Sequence, residues 1–165
     1  MAPYSTIFSL EELVRRRHLG RAFAGMQRDQ ICAALGTPDD WMDDAKRPGV
    51  ATALIWRYGL FEVHFIGDLA MSLFTDYLND LDAGPGRTVE PWIIAPTWQR
   101  TLSATRERLE RQRVDYVVRQ DSLRQPVLRV TNGADLLFDN SDAADVFVWS
   151  AICASAPETE RTLEP

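Results

Sequence analysis

Three runs of alternating residues, "TALIWRY", "FEVHFI" and "LAMSLFT", follow one another between residues 52 and 75. They restrict the fold more than any other feature of the chain. In the middle run Phe61, Val63 and Phe65 alternate with Glu62 and His64. A two-residue period sends successive side chains to opposite faces, so such a strand has one buried and one wet face. The third run adds Leu69, Met71 and Leu73 in the same phase. Gly59 and the pair Gly67-Asp68 punctuate the runs, and the economical reading is a meander of antiparallel hairpins. Trp56 and Tyr58 share one strand face. They are assigned to the core; the opposite assignment would make them an aromatic binding platform on the open face.

Helical patterns precede each set of strands. Ser9 with Glu12 matches a capping box, and Leu10, Leu13 and Val14 recur at helical spacing, which predicts a helix from Ser9 to Leu19 stopped at Gly20. In "GMQRDQICAALGTPDDW" (residues 25–41) a second helix begins near Gln27 with Ile31, Ala34 and Leu35 on one face. Gly36 suits a left-handed residue after the helix, and Pro38 forbids its resumption. A polar loop, "TPDDWMDDAKRPG", leads into the meander, and "NDLDAGPGRTVEP" reads as a turn-rich break after it. Thr101 or Ser103 can cap a helix near 103–113, followed by the runs "DYVVR", "PVLRVT", "ADLLF" and "VFVWSAI". Asn132-Gly133 between the middle two is a hairpin signal. The chain therefore reads as α+β: helices packed on one face of an antiparallel sheet, in two successive helix-then-strands units. These occupy residues 9–82 and 97–153 of a single domain, 1–154, with a flexible tail at 155–165.

Composition narrows the function. The 165 residues carry a net charge of −6, which disfavours a phosphate-tracking nucleic-acid surface despite the arginines of the 103–113 helix. No apolar run reaches the length of a membrane span, and "MAPYSTIFSL" lacks a basic region and an apolar stretch, so a cytoplasmic protein is expected. Cys32 and Cys153 form no CxxC unit; two buried reduced thiols are expected, a long-range disulfide being the alternative. His18 and His64 give no zinc spacing, and no GxSxG elbow, P-loop or GxGxxG occurs. No cofactor and no metal are expected.

"GMQRDQICAALGTP" resembles the Gly-Met…Gly-x-Pro segment of the SmpA/OmlA (BamE-like) family, through Gly25, Met26, Ile31, Leu35, Gly36 and Pro38. The β-lactamase inhibitor proteins have a similar helix-then-strands unit. "WRYGLFEVHF" resembles a segment of uncharacterised bacterial proteins in which an aromatic-Tyr-Gly turn leads into an alternating strand. Together these span residues 25–75. The resemblance implies helices against an antiparallel sheet whose open face binds a partner protein. The outer-membrane role is not implied, because no lipid-accepting cysteine follows a signal peptide, and Gln27 stands where Ser, Thr or Asp is the better N-cap.

Two clusters are candidate sites. Asp39, Asp40, Asp43 and Asp44 surround Trp41, an aromatic anchor rimmed by carboxylates that suits a basic protein partner. The run lacks the ligand spacing of a calcium loop. Arg57, Glu62 and His64 share the wet phase of the meander, with Ser72 nearby, where a small enzyme or ligand site could form. The expected function is a non-catalytic protein-binding domain of immunity or inhibitor type. An enzyme or ligand-binding protein centred on His64 is the alternative, and an unpaired edge strand leaves a homodimer open.

Overall fold

Eight antiparallel strands form one sheet built from two meanders. The structure is a computed structural model and describes residues 6–43, 46, 48–140 and 146–157. The first meander consists of β4 (Asp40–Met42), β5 (Ile55–Tyr58), β6 (Phe61–Ile66) and β7 (Leu69–Thr75). The second consists of β9 (Tyr116–Gln120), β10 (Pro126–Val130), β11 (Asp135–Asn140) and β12 (Phe147–Ser155). Each runs from an outer edge inward, and their last strands pair at the centre from Ile152↔Thr75 to Ser155↔Ser72. The two helix-then-strands units are thus halves of one continuous sheet. β12 runs through Ser155, and Ala156 donates to the Met71 carbonyl at 2.8 Å. Residues 155 and 156 therefore belong to the sheet, not to the expected tail; residues 158–165 lie outside the described residues.

The helical boundaries differ from the sequence expectation at the first helix. Ser9 ends a short strand, β1 (Thr6–Ser9), which pairs in parallel with β8 (Arg87–Glu90) inside the segment read as a break. Helix α1 is Leu10–Arg16, and the Ser9 side chain makes no cap hydrogen bond. It ends three residues before the expected Leu19, because Arg17 adopts the left-handed conformation at φ 61° and its N–H reaches back to the Leu13 carbonyl. Gly20 instead turns a small hairpin between β2 (His18–Leu19) and β3 (Ala22–Phe23). Helix α2 (Arg28–Leu35) has the bounds its sequence predicts, although Gly36 takes φ 83° with ψ −170° and not the left-handed helical conformation. The Gln27 N–H donates to Gln30 Oε1 at 2.8 Å, the return half of a capping box, while the Gln30 N–H donates to Asp29 Oδ1. Helix α3 (Leu102–Arg111) is capped by Thr101, whose hydroxyl accepts from the Ala104 N–H.

All three helices pack on one face of the sheet. Leu10, Leu13, Val14, Ile31, Leu35 and Leu109 join Trp56, Tyr58, Phe61, Val63, Phe65, Leu136, Phe138, Trp149 and Ile152 in one core. Trp56 and Tyr58 are therefore core residues. The common phase expected for Leu69, Met71 and Leu73 is broken. The register slips between His64↔Ser72 and Phe65↔Ala70, so Ala70 and Leu73 face the core and Met71 is the extra residue of a bulge.

Candidate binding edge and open sheet face

The acidic segment read as a loop contains β4, which pairs with β5 on one side only and forms an edge of the sheet. Its aspartates have different roles. Asp39 points inward: it accepts from the Gly59 N–H at 2.8 Å and pairs with Arg87 at 2.8 Å. Arg87 is nearly buried, stacks 4.8 Å over the Tyr58 ring and also donates to the carbonyls of Ala83, Leu35 and Thr37. Burial pushes the Tyr58 phenol above its ordinary pKa. A Cβ at Gly84 would meet the Asp39 carboxylate, and one at Gly59 would meet the backbone at Asp82 and Gly84. The site clamps the β5–β6 turn and the segment entering β8 against each other. Asp43 also acts locally, accepting from Gly49 N–H at 2.8 Å to close the following loop. Asp44 lies outside the described residues.

Asp40, Trp41 and Met42 are what β4 presents to solvent; Trp41 is 41% and Met42 46% exposed. Trp41 sits opposite the buried Trp56 on the helix-covered side of the edge, and Asp40 lies on the open face opposite Arg57. From Asp40 one register row crosses the entire sheet: Arg57, Glu62, Phe74, Cys153, Asp135, Arg129 and Val117. The predicted residues Arg57, Glu62 and His64 do come together in and beside it. Arg57 Nε donates to Glu62 Oε1 at 3.1 Å and its Nη1 reaches Asp40 at 3.4 Å. His64 Nε2 lies 2.8 Å from Glu62 Oε2, and its ring lies 5.6 Å from that of Phe74. The hydrogen bond to Glu62, ahead of the neighbouring charges, raises the Arg57 pKa. The second meander repeats the device: Arg129 makes two bonds to Asp135, at 2.7 and 2.6 Å, at equivalent strand positions.

Other features were not foreseen. Arg28 is buried between the rings of Trp56 and Phe65, 5.0 and 3.9 Å away, and pairs with Asp68. It lines a groove of about 620 Å³ between α2 and the segment before β5. No sequence spacing announces such a contact, because Arg28 and Asp68 are forty positions apart. Cys32 and Cys153 are not joined in a disulfide, and both are only partly buried, where full burial was expected. Among the described residues no group of three or more His, Cys, Asp or Glu side chains could hold a metal ion. No helix there is long and apolar enough to cross a membrane. Comparison with protein families, curated proteins and solved structures finds no match to this chain.

Proposed function

We propose that the chain is a non-catalytic, cytoplasmic protein-binding domain of immunity or inhibitor type, which captures a basic partner along β4 and the adjoining open face. The observation that carries this reading is that the acidic segment is an edge strand with Asp40, Trp41 and Met42 turned outward. An edge strand offers unpaired backbone groups to an added strand, and alternate side chains then provide specificity. Short, charged edges are also how sheets discourage such pairing. The exposed Trp41 and Met42 run against that purpose, because they add an apolar anchor where repulsion alone would need none. The resemblance of the 25–75 region to partner-binding families supports the same reading.

Asp39 and Asp43 hold the local fold, so the informative substitutions are Asp40, Trp41 and Met42 to alanine together. A displayed library of basic extended peptides, selected on the wild type, should give binders that weaken with salt and are lost on the triple variant. Binders that hold the two proteins equally well would reject the edge.

The Glu62–His64 contact favours a second reading, a small-molecule or enzymatic site on the open face, since a carboxylate at 2.8 Å can orient an imidazole for proton transfer. A fragment screen by NMR tests it: hits must shift His64 and be lost in His64→Gln.

A further inference from the structure

Three arginine side chains are buried or nearly so, and two of them have a carboxylate and an aromatic ring beside them, although Arg28 keeps one buried Nη1 without an acceptor among the described residues. Arg28 has Asp68 and two aromatic rings; Arg87 has Asp39 and Tyr58. Arg100, only 3% exposed, has neither a carboxylate nor a ring among the described residues. Its Nη2 donates to Asn79 Oδ1 at 2.5 Å and to Thr97 Oγ1 at 3.0 Å. Its Nε and Nη1 are buried without an acceptor among the described residues. Its pKa is lowered by burial, with no neighbouring charge opposing that effect. A buried cation without a counter-charge is among the costlier features a fold can retain.

The surroundings suggest what would satisfy it. Arg100 lines a cavity of about 350 Å³ with Asn79, Thr97, Ser150 and, also in its lining, Asp76 and Asp139. Asn79 and Thr97 also line a second, apolar cavity of about 590 Å³, whose walls include Leu78, Ile94 and Trp98. Trp98 is 74% exposed, so an indole face is left bare beside a polar recess. We propose that these two neighbouring cavities, which share Asn79 and Thr97 in their linings, bind a small monocarboxylate with an apolar body, its carboxylate on Arg100 and its apolar part along Trp98. A carboxylate supplies the missing charge and accepts the free N–H groups. Asp76 and Asp139 in the same lining oppose a dianion more strongly than a monoanion, which favours a monocarboxylate over the phosphate dianion. Neither free nitrogen is exposed to solvent, so capture requires the guanidinium to swing away from Asn79. The site is separate from β4 and does not depend on the function proposed for that edge.

The test uses octanoate as probe, with octylamine, octanol, acetate and inorganic phosphate as controls, read by calorimetry and by the Arg100 Nε–H resonance. Octanoate should bind saturably and shift that resonance, while octylamine and phosphate should not bind. Arg100→Met should fold, because it removes an uncompensated charge, and should weaken octanoate roughly tenfold or more, leaving it no better than octanol. Trp98→Ala, a surface change, should weaken octanoate by a similar factor and leave acetate unchanged. The proposal is overturned if wild type does not bind octanoate, or if octanoate binds without moving the Arg100 resonance. It is equally overturned if Trp98→Ala retains full affinity. Failure of Arg100→Met to fold would also count against it, by showing that Arg100 holds the fold and not a ligand.

Discussion

Replacing Asp39 and Asp40 separately by alanine should produce opposite outcomes from adjacent, identical residues. Asp39 is 28% exposed and faces Arg87, which is 8% exposed. Removing its carboxylate breaks the hydrogen bond from Gly59 and strips a nearly buried guanidinium of its counter-charge. Breaking a buried pair from one side costs about 3–5 kcal/mol. The three carbonyls that still accept from Arg87, and the partial exposure of Asp39, pull the expectation to about 3 kcal/mol. For a domain of this size that is a fall in melting temperature of roughly 6–12 °C. Asp40 is 66% exposed and 3.4 Å from Arg57, an exposed pair worth at most about 0.5 kcal/mol. Urea titration of both variants, with the slope checked for two-state behaviour, measures the contrast. The combination Asp39→Ala with Arg87→Met should recover much of the loss, because no unpaired charge then remains. Equal losses for Asp39→Ala and Asp40→Ala, or no recovery in the double variant, would refute the division of labour. The peptide-binding defect should follow Asp40 and its neighbours, not Asp39.

Thr101→Ala should cost about 1 kcal/mol, because its hydroxyl caps α3, whereas Ser9→Ala should cost a few tenths, because Ser9 caps nothing; chemical denaturation separates them. Gly133→Ala should destabilise by about 2–3 kcal/mol, since the new methyl group meets the Val14 carbonyl and Val130, while Gly67→Ala has open space and carries only backbone strain of about 1 kcal/mol. Melting curves of the two variants test that order. Burial raises the Tyr58 pKa above the ordinary 10.0 of the unfolded chain, so its contribution is complete below about pH 10 and is lost as pH rises beyond it. Tyr58→Phe loses the bond to the Gly36 carbonyl at neutral pH, but its stability gap from wild type should narrow by up to about 1.4 kcal/mol at pH 11; a constant gap between urea midpoints at pH 9 and 11 would contradict this.

The strands of β5 to β7 and β9 to β12 were legible because an alternating face and a Gly or Asn-Gly turn state their period and their ends locally. Helices α2 and α3 were legible for the same reason. Most of the elements missed were made by distant pairing; the local β2–β3 hairpin was missed because residues 18 and 19 had been assigned to the first helix. β1 and β8 exist because residues 6–9 and 87–90 pair with each other, and nothing in either stretch alone has a strand period. β4 is three residues long, and the aspartates on either side of it concealed it. The bulge at Met71 is invisible to a pattern that assumes constant phase. At the candidate sites, the wet phase correctly joined Arg57, Glu62 and His64. Proximity in sequence wrongly grouped Asp39 with Asp40, since neighbours on a strand point to opposite sides. Arg87 and Arg100 carried no signal at all, because burial of an arginine is decided by what the rest of the chain folds over it.

The central ladder between β7 and β12 also has a temporal meaning. β7 is complete at Thr75, but the strand that covers its flank ends at Ser155. During synthesis roughly 80 residues separate the two, which at ~5–20 residues per second leaves β7 an uncovered edge for roughly 4–16 s. The nascent first half is thus a sheet awaiting its neighbour, and that neighbour comes from the last described strand of the chain. A ribosome stalled between those points would display a sticky intermediate of the kind chaperones hold, and a second copy of the first half could occupy the same edge.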